Sequence, residues 1–329
     1  MSILVTGATG FLGAELTRQL VREGARVRIL CRRTSRLDLL GEAATHVEVA
    51  EGDVTDPTSL PAALHGIRQV YHVAGYVGMG GRRDRERLFR VNVRGTAHVV
   101  DAALAAGVER LVHTSSIAAL GSPAIPQDGD ALLDETATWQ PGRSATVYGW
   151  SKYQAELEIH RGIAEGLDAV IVNPSLIFGP GRPGENTMRI VERVRRGTLP
   201  GIPPGGTNVV DVADVAAGHR LAMARGRTGA RYILGSENLS WAAILSTLAE
   251  AFGVEPPRFR IPGTLLMASA VMAEATAWLT RHPSPLTRET ARTAIQTRRY
   301  SNARAVRELG CTFRPFRNTA ARLAAVLNA

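Results

Sequence analysis

Thr6-Gly7-Ala8-Thr9-Gly10-Phe11-Leu12-Gly13 follows the short apolar run Ile3-Leu4-Val5 and leads into a helical pattern. Leu12, Leu16, Leu20 and Val21 share one face of that helix, and Gly24 is placed to close it as a C-cap. In a strand–turn–helix unit the first glycine permits a tight turn. The second lets backbone approach a pyrophosphate, and the third lets helix and strand pack closely. The free N–H groups and positive dipole end of the helix then face the phosphates. Thr6, Gly7, Thr9, Gly10, Phe11, Leu12 and Gly13 are therefore expected to hold a dinucleotide.

Working outward, the rhythm of strand and helix continues to about residue 175. Further strand runs are Arg26 to Cys31, His46 to Val49, Gln69 to Ala74, Arg110 to Thr114 and Ala169 to Val172. Helices are expected over about 85–106 and 148–166. Short apolar strands alternating with helices predict an α/β fold, a Rossmann-type doubly wound parallel sheet. The expected division is a dinucleotide-binding domain over 1–175 and a smaller C-terminal substrate-binding lobe over 176–329. Within the lobe, about 207–235 is expected to return to the Rossmann sheet.

The end of the second strand chooses between nucleotides. NAD-selective sites place an acid about twenty residues beyond the glycine turn, where it bonds the ribose 2′-hydroxyl. This chain has Arg32 and Arg33 there, with Thr34 and Ser35 beside them. A guanidinium can fork onto a 2′-phosphate and stack on adenine, so NADP(H) is favoured over NAD(H). Asp53 and Val54 follow the third strand, and Asp53 is placed to accept from the adenine amine. Val73, Ala74 and Gly75 end the fourth strand, where small residues let backbone approach the cofactor.

The 329 residues include 38 arginines and one lysine, Lys152, four residues after Tyr148 in Tyr148-Gly149-Trp150-Ser151-Lys152. Arginine is planar and permanently charged, whereas lysine is a slim ammonium that can lose and regain a proton. At i and i+4 the two side chains share a helix face. An ammonium beside a phenol favours phenolate and is expected to lower the tyrosine pKa. Tyr148 can then exchange a proton with a substrate oxygen while hydride moves at the neighbouring carbon. Thr114-Ser115-Ser116, at the end of the fifth strand, supplies a second donor to that oxygen.

Bulk properties set the limits. Apolar content of 45% and charged content of 21% describe an ordinary globular chain. The net charge of +9 comes from arginines spread along the whole length, and the densest run, Arg82 to Arg87, alternates with acids. No nucleic-acid partner is expected; phosphate-bearing cofactors are the expected anions. Cys31 and Cys311 give no disulfide framework and suit a reducing cytosol, and no HxxxH or HExxH pair announces a metal. A strand starting at Ile3 without a charged leader predicts a cytoplasmic protein. Thr264 to Thr280 is apolar except for Glu274, slightly short and alanine-rich for a membrane span. It reads as a buried or lid helix, with peripheral membrane contact as the alternative.

These motifs together resemble the extended short-chain dehydrogenase/reductases. The resemblance is carried by TGATGFLG at 6–13, GDVTD at 52–56, HVAG at 72–75, the Asn92-Val93-Arg94-Gly95-Thr96 helix, HTSS at 113–116 and YGWSK at 148–152. It extends through Asn173-Pro174-Ser175 and Val210 to Val215, and within the family it points to the dihydroflavonol-reductase-like, 3β-hydroxysteroid-dehydrogenase-like and hopanoid-associated sugar-epimerase-like branch. The resemblance implies a catalytic set of Ser116, Tyr148, Lys152 and Asn92, with Asn92 supporting the lysine through a helix kink and water. Thr114, Pro174 and Ser175 would border the cofactor. Tyr76, Ser116, Ile117, Ala118 and Tyr148 would meet the substrate, within segments Tyr76 to Arg82 and Ile117 to Leu120. It also implies a homodimer through the helices near 85–106 and 148–165.

The expected activity is reduction of a ketone, or oxidation of a secondary alcohol, in a fairly apolar small molecule. A nucleotide-sugar epimerase with tightly held NAD is the alternative, with Arg189, Arg193, Arg195 and Arg196 placed to neutralise a pyrophosphate. A non-catalytic cofactor-binding protein comes third.

Overall fold

The computed structural model describes residues 2–78, 82–121, 132–140, 146–280, 282, 284 and 286–328, with only the backbone of Arg82 and Arg83 included. Seven parallel strands form the central sheet: β1 (Ser2–Thr6), β2 (Arg26–Cys31), β3 (Val47–Glu51), β4 (Gln69–His72), β5 (Arg110–Thr114), β6 (Ala169–Pro174) and β7 (Arg231–Leu234). Their spatial order is β7-β6-β5-β4-β1-β2-β3. The chain leaves β1 in one direction to build β2 and β3, then crosses to the other side of β1 for β4 to β7. A switch point results between β1 and β4, with Thr6 in register with His72. In open parallel sheets the crevice outside the carboxyl ends at such a point is where ligands bind.

Alternation along the strands sends neighbours to opposite layers. Leu4 packs with Val70, Leu111, Ile171, Val100 and Ile159 on one face. Val5 packs with Ile29, Val112, Val172, Val215 and Tyr232 on the other. Both faces are covered by helices, as an all-parallel sheet requires. Cys31 and Cys311 are free thiols.

The expected helix over 85–106 is divided into an α-helix (Arg82–Leu88), a π-helical turn (Phe89–Arg94) and a second α-helix (Gly95–Ala105). The π turn widens the coil beside Asn92, which is buried at its centre. The expected return to the sheet over 207–235 is also divided. Helix Val212–Arg225 covers the sheet and β7 forms its edge. Gly206–Asp211 instead joins Leu176–Phe178 and Glu237–Ser240 in a separate three-stranded sheet. That sheet, with Phe178, Met188, Ile244, Phe316 and Leu323, forms the core of the C-terminal lobe.

Helix Gly263–Thr280 departs from the buried reading. Only Leu266 and Ala270 are buried, against Ala291 of the following helix Arg288–Ile295. Leu265, Val271, Met272, Trp278 and Leu279 face outward, Trp278 at 81% exposure. Apolar residues on every side of this helix leave no single apolar face to say which side faces in, so periodicity could not decide this. Among the described residues no helix is long and apolar enough to cross a membrane.

Candidate active site

The glycine turn has the geometry its sequence requires. Gly7 lies at φ +70, and a Cβ there would stand 2.6 Å from Ala74 N. A Cβ at Gly13 would come within 2.1 Å of the Gly7 carbonyl, so the helix packs on the turn through backbone alone. Gly10 N donates back to Gly7 O at 3.0 Å and stands as N-cap of helix Phe11–Arg22. No side chain caps that helix, which leaves its N–H groups facing the crevice. Thr6 Oγ1 accepts from Ala74 N at 3.2 Å, tying the turn to the end of β4. This cradle fits a dinucleotide pyrophosphate. Leu12 is buried in the core below it, while Thr9 and Phe11 are partly exposed at its rim.

At the adenine end, Arg32 and Arg33 are exposed, and Arg32 stands 3.9 Å from Asp53 Oδ2. Ser35 Oγ accepts from the Arg32 backbone N–H at 3.2 Å. Asp53 Oδ1 accepts from both the N–H and hydroxyl of Thr55 at 2.9 Å, so part of the carboxylate shapes its own turn. Val54 is buried against Gly95.

A strap from the C-terminal lobe reaches the same rim. Gly181 packs on the Phe11 ring, and Arg182 forks onto Asp38 at 2.7 and 3.0 Å while donating to Arg36 O at 3.1 Å. The Arg182 guanidinium holds the Asp38 carboxyl down at about 2. Sequence reasoning saw only a turn-rich loop here, because Asp38 and Arg182 are 144 residues apart.

At the other end, helix Val147–Ala164 rises from Thr146, whose hydroxyl caps Gly149 N at 2.9 Å. The Glu289 carboxylate accepts from Val147 N at 3.0 Å, attaching helix Arg288–Ile295 beside Tyr148. Gly149 permits close approach to Ala118, since a Cβ there would lie 2.5 Å from the Ala118 carbonyl. The Ser116 hydroxyl is near enough to the Tyr148 phenol to favour its ionised form. Ser116 Oγ also accepts from Ala118 N at 3.2 Å, capping the turn Ile117–Leu120.

Lys152 is buried at 4% exposure, and its Nζ donates to the Thr114 carbonyl at 2.9 Å. A Cβ on Gly75 would sit 3.0 Å from that Nζ. Asn92 Oδ1 accepts from Tyr76 N at 2.7 Å, and its Nδ2 donates to Tyr76 O and Ser151 Oγ, each at 3.0 Å. Asn92 thus joins the π turn, the segment after β4 and the catalytic helix.

One expectation changes. Burial pushes the Tyr148 phenol up rather than down, with the nearby Ser116 hydroxyl opposing it. The ammonium expected to lower it is spent on Thr114. Burial pushes Lys152 itself down to about 8, with the Glu156 carboxylate opposing the shift. Tyr76 is partly buried: its hydroxyl donates to Asp84 Oδ1 at 2.7 Å and the Arg87 guanidinium lies over its ring at 4.2 Å. Of the segment expected to meet substrate there, residues 79–81 and the Arg82 side chain lie outside the described residues.

Pro174 ends β6 in register with Leu234, and Ser175 N donates to Leu234 O at 3.0 Å. The Ser175 hydroxyl is buried without a partner among the described residues, a donor fit for a cofactor amide. The arginines of helix Met188–Arg195 are otherwise engaged: Arg193 reaches the Thr198 carbonyl and Arg195 the Leu327 carbonyl.

Sequence reasoning missed a buried polar layer beneath the site. His72 bonds Thr6 Oγ1 at 2.8 Å and Thr96 Oγ1 at 3.0 Å, while His219 bonds Thr114 Oγ1 at 2.8 Å. His113 stands 5.2 Å from His72, ring to ring, with no partner on either nitrogen. Glu156 was also missed, though an acid one helical turn past the only lysine was a visible signal.

A doubly wound sheet, a glycine cradle and a Ser–Tyr–Lys set at its switch point define an NAD(P)-dependent enzyme of the extended short-chain dehydrogenase/reductase class. Residues 3–235 match the NAD dependent epimerase/dehydratase family, and the chain belongs to it. It is 39% identical over 313 residues to a Synechocystis sp. protein provisionally named a dihydroflavonol 4-reductase, covering 93% of this chain and 88% of that one. It is 38% identical over 276 residues to sterol demethylase protein B of Methylococcus capsulatus, covering 83% and 81%. Among solved structures, that of gox2253 superposes with a TM-score of 0.85 at 36% identity, covering 99% of this chain and 98% of that one.

Proposed function

We propose that this chain is an NADP(H)-dependent reductase of a ketone, or dehydrogenase of the matching secondary alcohol, in a fairly apolar small molecule. The observation that carries the reading is the close packing of helix Val147–Ala164, which bears Tyr148 and the buried Lys152, on the turn after Ser116 at the carboxyl end of β5, where a Cβ on Gly149 would stand 2.5 Å from the Ala118 carbonyl. A carbonyl oxygen seated between the two hydroxyls would be held by Ser116 and protonated by Tyr148. Nicotinamide, when bound, supplies the hydride and, in its oxidised form, a positive charge that favours phenolate. Lys152 and Thr114 would hold the nicotinamide ribose, Ser175 and Pro174 its carboxamide, and Gly7 to Gly13 the pyrophosphate. Asn92 would keep the helices carrying this set in register.

Arg32, Arg33 and Ser35, with no acid at the end of β2, support NADP(H). The Ile117–Leu120 turn beside Ser116 and the apolar lobe attached through Glu289 support an apolar substrate. The names of the Synechocystis and Methylococcus relatives point the same way. The outward Leu265, Met272, Trp278 and Leu279, on a chain of net charge +9, support peripheral contact with an anionic membrane surface. Exposed Trp150 and Leu157 on the catalytic helix support the expected homodimer.

The test is purified protein with NADPH or NADH and a panel of aryl, steroidal and aliphatic ketones. Net NADPH consumption with an apolar ketone is expected. Stoichiometrically retained NAD, with epimerisation of a nucleotide sugar and no net turnover, would replace this reading with the epimerase one.

A further inference from the structure

One helical turn beyond Lys152 stands Glu156, a carboxylate at 2% exposure. Tyr148, Lys152 and Glu156 follow one another at intervals of four, so all three lie along one helix face. Glu156 Oε1 accepts from the Ser115 hydroxyl and, at 2.7 Å, from Asn173 Nδ2. Its Oε2 faces Arg231 NH1 at 3.5 Å. Those partners belong to the carboxyl ends of β5 and β6 and to the first residue of β7. Asn173 Nδ2 also donates to the Ser116 carbonyl at 3.0 Å. A single carboxylate therefore ties three strand ends to the helix that carries Tyr148.

Isolated, a buried carboxylate is costly, and simple packing would not call for one. Here it sits where two geometric demands meet: Ser116 must stay against Tyr148, and an ammonium must stay in a dry site. Resting on the Ser–Tyr–Lys reading above, we propose that Glu156 is a positioning residue. It fixes Ser116 through Ser115 and Asn173 and provides the counter-charge for Lys152. Among the described residues, the other ionisable side chains facing Lys152 are Tyr148 on the same helix face and, neutral by burial, His72 on β4 and His113 on β5. Arg231, on β7, faces Glu156 from the far side and also donates to the Glu135 and Ala137 carbonyls at 2.6 and 2.8 Å. Glu156 is thus the negative group in the layer next to the ammonium.

Glu156→Gln retains an acceptor for Ser115 but removes the charge. Expected is an alkaline limb of kcat/KM moved down by about one pH unit, hence about a tenfold loss at pH 8.5, with NADPH affinity at pH 6.5 within about twofold of wild type. Glu156→Asp keeps the charge with a shorter reach. It is expected to restore the limb while lowering kcat and leaving KM for the ketone unchanged. If Glu156→Gln folds poorly because Arg231 loses its partner, Glu156→Gln with Arg231→Met removes both charges, and the same limb shift is expected. A wild-type pH profile in a folded Gln variant overturns the proposal. Tyr148→Phe is run in parallel: if it keeps turnover, the Ser–Tyr–Lys reading fails. If it is inactive while Glu156→Gln is indifferent, only the Glu156 role fails.

Discussion

Lys152 directs its ammonium at the Thr114 carbonyl oxygen, 2.9 Å away, from a position almost closed to solvent. Folded, it releases its proton near 8; unfolded, near the ordinary lysine value of 10.5. Between those values the unfolded chain binds the extra proton, so stability rises with pH across that window. Below 8 the full cost of burying the ammonium is present, about 3 kcal/mol. Lys152→Met should therefore raise Tm at pH 7 by a few degrees while abolishing turnover, and the gain should vanish by pH 10.5. Calorimetry at both pH values checks this; a lower Tm at pH 7 would contradict it.

The histidine layer sets the acid limit. Burial lowers His72 to about 3 and His219 to about 4, and holds His113 well below its ordinary value. All three are neutral when folded, whereas an unfolded histidine charges near 6.5. Stability is then lost as pH falls from 6.5 toward 4, by up to about 4 kcal/mol per unit. Urea titrations at pH 6.5, 5.5 and 4.5 measure the slope. His113→Leu removes the ring without partners and should reduce the slope by about one proton; an unchanged slope would contradict this.

Tyr148→Phe should lower kcat by about 10²- to 10⁴-fold and leave NADPH binding within about twofold, since the phenol moves a proton rather than holding the nucleotide. Nucleotide fluorescence titration separates the two effects. Ser116→Ala should lower kcat less, because Tyr148 still reaches the substrate oxygen.

Arg32→Ala should raise KM for NADPH about tenfold and change KM for NADH by less than about twofold, because the lost partner is the 2′-phosphate. Equal losses with both nucleotides would assign Arg32 to adenine stacking or to its contact with Asp53.

Vesicle flotation tests the outward helix. Wild-type protein should float with vesicles containing anionic lipid and detach at high salt, while Met272→Glu with Trp278→Glu should stay in the aqueous fractions with ketone turnover unchanged. Flotation of the double variant would rule out this face.

The sequence declared its sheet because the evidence for it is local. Leu4 and Val5 alternate between two cores, and the glycine turn carries its own backbone requirements. The Ser–Tyr–Lys set was legible for the same reason, being short motifs at strand and helix ends. What stayed hidden depends on long-range partners. Glu156 reads as half of an ordinary helical pair until Ser115, Asn173 and Arg231 converge on it from 41, 17 and 75 residues away. The tyrosine pKa went the other way because spacing puts Lys152 on the right face but shows neither the burial of the phenol nor that the ammonium donates to the Thr114 carbonyl. The contacts of Tyr76 with Asp84 and Arg87 were likewise not visible in the spacing.

The Arg182–Asp38 fork joins the C-terminal lobe to the rim of the glycine cradle, at a point remote from the reacting carbon. Its consequence is temporal. The same Ser–Tyr–Lys set can make one alcohol and discharge a spent nucleotide, or keep the nucleotide and return the hydride to the opposite face of the same carbon. The outcome turns on whether the dinucleotide's residence is shorter or longer than the intermediate's. Arg182→Ala, which removes the ion pair with Asp38, is expected to shorten that residence, and stopped-flow nucleotide release measures it.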